Sequence, residues 1–179
     1  MKRLLPILFL VGLASSAFSQ SFYTETGTAV FYSKVPLHSF SGTSENLVGL
    51  INLDESTIDF YLDLETLNTG NGKRDKDMLL TLDVKKYPFG EFFGKMTSEF
   101  DVDLQQEQDV TVEGVFKIHG KEQNVVISGT LTPEGNTLKL TAGWILKLED
   151  YEIEPPSLLF IKVDQEQEIE INAVLTIKE

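Results

Sequence analysis

Residues 64–88 read LETLNTGNGKRDKDMLLTLDVKKYP, and they break what is otherwise a chain of strands. Directly upstream, Thr57 to Thr66 alternates without exception. Ile58, Phe60, Leu62 and Leu64 occupy one parity, and Thr57, Asp59, Tyr61, Asp63 and Glu65 the other. A period of two is the signature of a strand with one buried and one wet face. Asn68-Thr69-Gly70-Asn71-Gly72 then ends the strand with residues that tolerate positive φ. Asp75 is suited to N-cap a short helix over Lys76 to Leu82, with Asp77 favourably placed in its first turn. Met78, Leu79 and Leu82 share one side of that helix, and Pro88 stops it from continuing. No other segment after the first twenty residues reads as helix, so this one is expected to cover an end of a closed or nearly closed β structure.

Upstream, Phe22 to Ser33 is rich in β-branched and aromatic residues and reads as a strand, with a bulge at Gly27. Lys34 to Ser44, containing Pro36 and Gly42, reads as a loop carrying His38 and Phe40. Asn46 to Asp54 is expected to pair with Thr57 to Thr66 through a short hairpin connection. Downstream, Phe89 to Asp103 is a long strand region that Gly90 and Gly94 would bend.

The second half alternates more cleanly. Val110, Val112, Gly114, Phe116 and Ile118 share a face, and His119-Gly120-Lys121-Glu122 reverses the chain. Val125, Ile127, Gly129 and Leu131 follow, then a Pro133-Glu134-Gly135-Asn136 turn. Leu138, Leu140, Ala142, Trp144, Leu146 and Leu148 form the next inward set. After an irregular Asp150 to Ser157, the last strand turns Ile169, Ile171, Ala173, Leu175 and Ile177 inward. About eight strands with short turns and no alternating helices define an all-β, antiparallel barrel or sandwich. The inward set mixes bulky residues with Gly49, Gly114, Gly129, Ala142 and Ala173. An eight-stranded barrel has just enough room for one ligand if its interior is not filled. The same glycines also fit bulges or barrel corners.

The chain has 179 residues, the length of one domain. Its start is of another kind. Lys2 and Arg3 precede an apolar run from Leu4 to Leu13 and an Ala17-Phe18-Ser19 cleavage pattern. Residues 1–19 are therefore expected to be a signal peptide, and residues 21–179 the barrel domain. The apolar run falls short of the ~20 residues of a membrane span. With no Cys in the chain, no lipid anchor at the cleavage site is expected. The protein is thus expected in the periplasm or outside the cell, without a stable membrane anchor. Loss of Lys2 and Arg3 takes the formal charge from −13 to −15. That balance argues against nucleic acid and anionic bilayers as partners.

Nothing in the chain assembles a catalytic centre. There is no Gly-x-Ser-x-Gly elbow, and the only histidines are His38 and His119, without HExxH or His-x-His spacing. No catalytic residue, metal ligand set or cofactor is expected, and His119 reads as a turn residue. A metal-assisted hydrolase built on His38 and His119 is the weaker alternative. Arg74 either meets a ligand headgroup with its planar fork or ties the loop to the barrel rim beside Asp75.

The ordered marks resemble the YceI-like family. They are Phe40-x-Gly42, Leu67-x-Thr69-Gly70 with Arg74-Asp75, Tyr87-Pro88, Gly114-x-Phe116-x-Ile118-x-Gly120 with Val125 and Val126, and Asp150-Tyr151-x-Ile153-x-x-Pro156. The resemblance runs from Phe22 to Lys178. It implies a lipocalin-like antiparallel β-barrel, closed at one side by the helix, around a hydrophobic tunnel. It also implies a polyisoprenoid ligand, an isoprenoid quinone or a prenyl phosphate, and an apolar barrel interior is expected to take a long fatty acyl lipid as well. The wall is then expected from Ile58, Phe60, Leu62, Phe116, Leu140, Trp144, Ile171 and Leu175, with Phe31 and Phe40 beside it. Met78 and Leu79 would form an adaptable lid, with Arg74 at the headgroup. Gly114→Leu is expected to block the tunnel and leave the barrel folded. An envelope interaction module with a solidly packed barrel is the alternative.

Overall fold

The computed structural model describes residues 20–35, 38–155, 157–158 and 161–178. Their strands are β1 (Ser21–Val35), β2 (His38–Asn52), β3 (Thr57–Asp63), β4 (Phe89–Met96), β5 (Gln108–Ile118), β6 (Lys121–Glu134) and β7 (Thr137–Lys147). Two short strands, β8 (Ser157–Leu158) and β9 (Ile161–Lys162), precede β10 (Glu166–Ile177). Eight of them close into an antiparallel barrel in the order β1-β10-β7-β6-β5-β4-β3-β2. The alternating residues dictate this. Closure buries one parity of every strand and removes the sheet edges that would otherwise expose unpaired backbone groups.

The inward set buries as the alternation predicts from Ile58 to Leu64, Val110 to Ile118 and Leu138 to Leu148. In β10, Ala173 and Leu175 are buried, but Ile177 is exposed because it lies at the end of the strand. The predicted bulge at Gly27 is present, and the register of β1 against β2 shifts on both sides of it. His119 (φ 54°) and Gly120 (φ 71°) form the two-residue β5–β6 link. Positive φ at both positions matches the right-handed twist of the flanking strands.

Four expectations need correction. Of the expected loop at Lys34 to Ser44, the described residues are strand: β1 runs to Val35 and β2 begins at His38, with Ser33 opposite Phe40 and Phe31 opposite Gly42. Cross-strand pairing overrides the Ser- and Gly-rich composition there. The strand after Pro88 ends at Met96, well before Asp103. Beyond it the Gln108 side chain ties down the connection, accepting from Asp101 N and donating to Asp101 O. The strand β3 stops at Asp63, and Leu64–Thr66 coils into a 3₁₀ turn whose first donor Asp63 caps. The helix α1 spans Gly72–Thr81 with Asn71 as its N-cap, not Asp75. Asn71 Oδ1 accepts from the backbone of Lys73 and Arg74 at 3.1 and 3.2 Å. These donors have no partner inside the helix, so the side chain that reaches them sets its start.

Two apolar clusters line the interior of the barrel. One contains Ile51, Leu131, Leu138 and Leu175, all fully buried, with Phe22, Phe60 and Phe92. The other sits under α1 and gathers Leu64, Leu82, Val84, Ile118, Leu146, Leu148, Tyr151 and Ile153. A 3₁₀ helix at Leu148–Tyr151 carries two of these inward, and Glu152 leaves it in the left-handed region.

Candidate functional site

A cavity of about 540 Å³ lies inside the barrel, bordered by residues of both clusters. That volume is in the range of sites that enclose a small organic ligand. Its walls are overwhelmingly apolar. Five polar lining side chains, Asn71, Lys73, Arg74, Asp77 and Thr81, belong to α1 or its cap and make that end the polar rim, while Ser33 and Gln167 lie on β1 and β10.

Of the residues expected at a ligand, Phe31, Phe40, Ile58, Phe60, Leu62, Met78, Phe116, Leu140, Trp144, Ile171 and Arg74 line the cavity. Leu79 and Leu175 do not. Leu79 packs half-buried against the cluster under the helix, and Leu175 is wholly enclosed in the opposite one. The aromatic members interlock: Phe31 meets Phe40 edge-on at 6.1 Å, and Phe116 meets Trp144 at 5.4 Å and Tyr151 at 5.8 Å. Such edge-to-face pairs fix ring orientation beyond what area burial requires.

The helix is anchored over this space at its N-terminal end. Thr43 and Asn68 exchange backbone hydrogen bonds at 3.0 Å, and Ser44 and Thr66 join through their hydroxyls. Asp75 accepts from the Thr69 backbone at 2.8 Å and from its hydroxyl at 2.6 Å. Those bonds, with a smaller contribution from the Arg74 charge, hold the Asp75 carboxyl below its usual range. Arg74 itself lies over the Phe40 ring at 4.3 Å.

Two small inward residues behave differently from expectation. Gly49 leaves no free space, because a Cβ there would meet the Phe60 ring. At Gly114 a Cβ would collide with backbone, 2.4 Å from Phe93 O and 2.6 Å from Gly94 Cα. A leucine at 114 would therefore break the β4–β5 pairing, not merely block the cavity. Gly90, Gly129, Ala29 and Ala142 are the small residues that do border the cavity.

Several lining residues carry no ligand signal in the sequence, among them Ser33, Leu47, Phe92, Val163 and Gln167. The β10 alternation extended back from Ile169 points Gln167 inward, but its polarity masks that signal. His119 meets Tyr87 edge-on at 5.6 Å and its Nδ1 lies 3.1 Å from Tyr151 O, at the hairpin. The His38 side chain lies outside the described residues. Among the described residues, no group of three or more His, Cys, Asp and Glu is placed to hold a metal ion.

The fold and its internal apolar space define a lipocalin-like barrel. The YceI-like domain model matches residues 20–175, and the chain belongs to that family. The fold is shared with a polyisoprenoid-binding domain from Saccharophagus degradans implicated in plant cell wall breakdown (TM-score 0.76, 14% identity, 90% of this chain and 100% of that one). It is shared also with BcnA of Burkholderia cenocepacia (0.70, 15%, 84% and 96%). The YceI protein of Campylobacter jejuni aligns over 100% of both chains at 0.54 and 13%. No curated protein matches the chain significantly.

Proposed function

We propose that this protein binds one long apolar chain non-covalently inside its barrel, as an exported carrier or store and not as an enzyme. The observation that carries this reading is the apolar cavity of about 540 Å³, walled by inward side chains of the barrel strands. Each CH₂ group transferred into such a space contributes about 0.8 kcal/mol, so affinity accumulates along a chain with few polar contacts. The polyisoprenoid binding of the Saccharophagus domain supports the choice of ligand class. Within that class a polyisoprenoid, such as an isoprenoid quinone or prenyl phosphate, or a fatty acyl chain fits the walls. A barrel serving only as an interaction module would have no use for the enclosed space.

Residues 1–19, outside the described residues, have the composition of a leader, which supports export to the periplasm or beyond. Among the described residues no helix is long and apolar enough to cross a membrane. The formal charge of −13 opposes adhesion to anionic bilayers, as a lipid carrier between membranes requires. Native mass spectrometry of the purified protein, followed by organic extraction, tests the reading. A stoichiometric apolar adduct is expected. Protein that is empty and also takes up no quinone, prenyl phosphate or fatty acid would overturn it.

A further inference from the structure

The helix and the turn after it differ in charge from the rest of the chain. Residues 72–88 carry five Lys and Arg against three Asp, a formal +2, which leaves −15 on everything else in a chain of −13. The connections at the opposite end of the barrel, 53–56 and 97–107, hold six Asp and Glu and no cation. On the strands Lys117, Lys121 and Lys147 are each neutralised by a glutamate. Lys73, Lys76 and Lys85 are exposed and have no ion-pair partner among the described residues. The acidic stretch at the α1 end, Glu149 to Glu154, follows β7. The strand order puts β7 and β10 across the barrel from β3 and β4, the two strands that α1 joins. The basic face therefore occupies one side of the rim.

That face is apolar as well. Met78, Leu79 and Leu82 turn toward the barrel and pack on the cluster there. The helical period sends Leu80 the other way, beside Lys73 and Lys76, where it is 66% exposed. Beyond Lys85 and Lys86, Phe89 stands exposed at the start of β4, edge-on to the exposed Tyr61 at 5.8 Å. Cations interleaved with exposed apolar side chains suit a bilayer interface, where lipid phosphates meet the cations and the acyl boundary takes the apolar groups. We infer that the outer face of α1, with Lys85, Lys86 and Phe89, docks on an anionic phospholipid surface. Charge complementarity selects this occupant. The acidic far end does not prevent contact, because β4 extends roughly 25 Å and charges are screened over ~10 Å at about 0.1 M salt. The chain's net charge opposes lasting adhesion, so the contact is brief and fixed in orientation, with the polar rim of the cavity beside the bilayer. The inference goes beyond chain binding and needs no ligand in the barrel.

The test is sedimentation of the unloaded protein with phosphatidylcholine vesicles, with and without phosphatidylglycerol, at about 0.1 M salt. Phosphatidylglycerol is expected to raise the bound fraction severalfold, since one Lys near an anionic surface is worth about fivefold in partitioning. The double variant Lys76→Gln, Lys85→Gln should lose most of that gain, and Leu80→Ser should lower binding to the same vesicles. Lys95→Gln with Lys139→Gln removes the same charge from exposed positions on β4 and β7 and should keep the gain. All five side chains are exposed, so the variants are expected to fold. No gain from phosphatidylglycerol, or an equal loss in both double variants, overturns the docking face. Binding unmoved by Leu80→Ser and by the α1 double variant overturns it too. A fall in molecular mass on light scattering in Leu80→Ser would assign the face to a second copy of the chain instead. Failure of the barrel to take up lipid leaves the docking standing, and failure of docking leaves chain binding untouched.

Discussion

The guanidinium carbon of Arg74 lies 4.3 Å from the centroid of the Phe40 ring, fastening α1 to the β1–β2 hairpin. Both residues line the cavity, so the contact spans the rim of the space it closes. The helix has no fully buried residue of its own. It is held by its Asn71 cap, by the Thr69 hydrogen bonds to Asp75 and by this stacked cation, the cap being worth about 1 kcal/mol and the cation–π contact about 0.5–2 kcal/mol.

Arg74→Ala should therefore loosen α1 without unfolding the barrel. A cation–π contact of about 0.5–2 kcal/mol corresponds to roughly a 2- to 30-fold change in the population of an open helix. Release of a bound fluorescent fatty acid, followed by stopped flow, is expected to speed up within that range in Arg74→Ala. The thermal midpoint should stay near that of the wild type. An unchanged release rate would show that the helix does not gate the cavity.

Asp75 gives that helix a pH dependence. Hydrogen bonds from Thr69 hold its carboxyl in the folded protein below the ordinary aspartate range. A depressed acid stabilises the fold above its unfolded value and loses that contribution as pH falls through the folded one. The anchor of α1 is accordingly intact at pH 5 and weakens below about 3.8. Amide exchange in 72–81, normalised for its intrinsic acid dependence, should accelerate selectively on acidification below that value. In Asp75→Asn the helix should be loose already at pH 5 and show no such step.

Why some of this was readable in the sequence and some was not follows from where each signal resides. The barrel was legible because its strands keep strict alternation, as in Ile58-Phe60-Leu62 and Leu138-Leu140-Ala142-Trp144. Lys34 to Ser44 was not, since its strand character comes from pairing with the opposite strand and its own composition favours turns. The helix start is not fixed by the sequence, because Asn71 reads there as a turn former while Asp75 offers a capping oxygen four residues later. Only the backbone path decides which oxygen reaches the free N–H groups. The cavity residues could be listed from their parity, but the void could not. Its volume depends on whether rings fill the notches left by small residues, as Phe60 fills that at Gly49. Ser33 and Gln167 were passed over because polar residues at strand ends normally face water.

Space at the glycines makes a second, sharper prediction. A Cβ at Gly90 would meet only ordinary contacts, 3.6 Å from Leu64 Cδ2 and 3.8 Å from Phe116 Cζ, and Gly90 borders the cavity. Gly90→Leu should therefore fold and take up less lipid. Gly114→Leu, forced against the Phe93 carbonyl and Gly94 backbone, should lose stability by more than the 1–3 kcal/mol typical of overpacking. Denaturant melts and lipid occupancy measured on both variants separate the two effects. Full occupancy in Gly90→Leu would show that the ligand does not reach that wall.

The chain contains a single tryptophan, and it stands in the cavity wall. Trp144 packs edge-on against Phe116 at 5.4 Å, and the indole nitrogen is shielded from solvent. Intrinsic fluorescence therefore reports on the cavity alone, undiluted by other indoles. A fatty acid carrying bromine along its chain is expected to quench Trp144 saturably, with an endpoint at one ligand per protein. Quenching should decline in step as an unbrominated chain of the same length competes for the space. Acrylamide, which samples solvent, should quench the loaded protein less than the empty one, because a bound chain excludes it from the wall. Brominated chains that bind by mass spectrometry and leave Trp144 fluorescence untouched would place the ligand outside the barrel, on its exterior or along the helix. That result would detach the cavity from the binding it is proposed to perform.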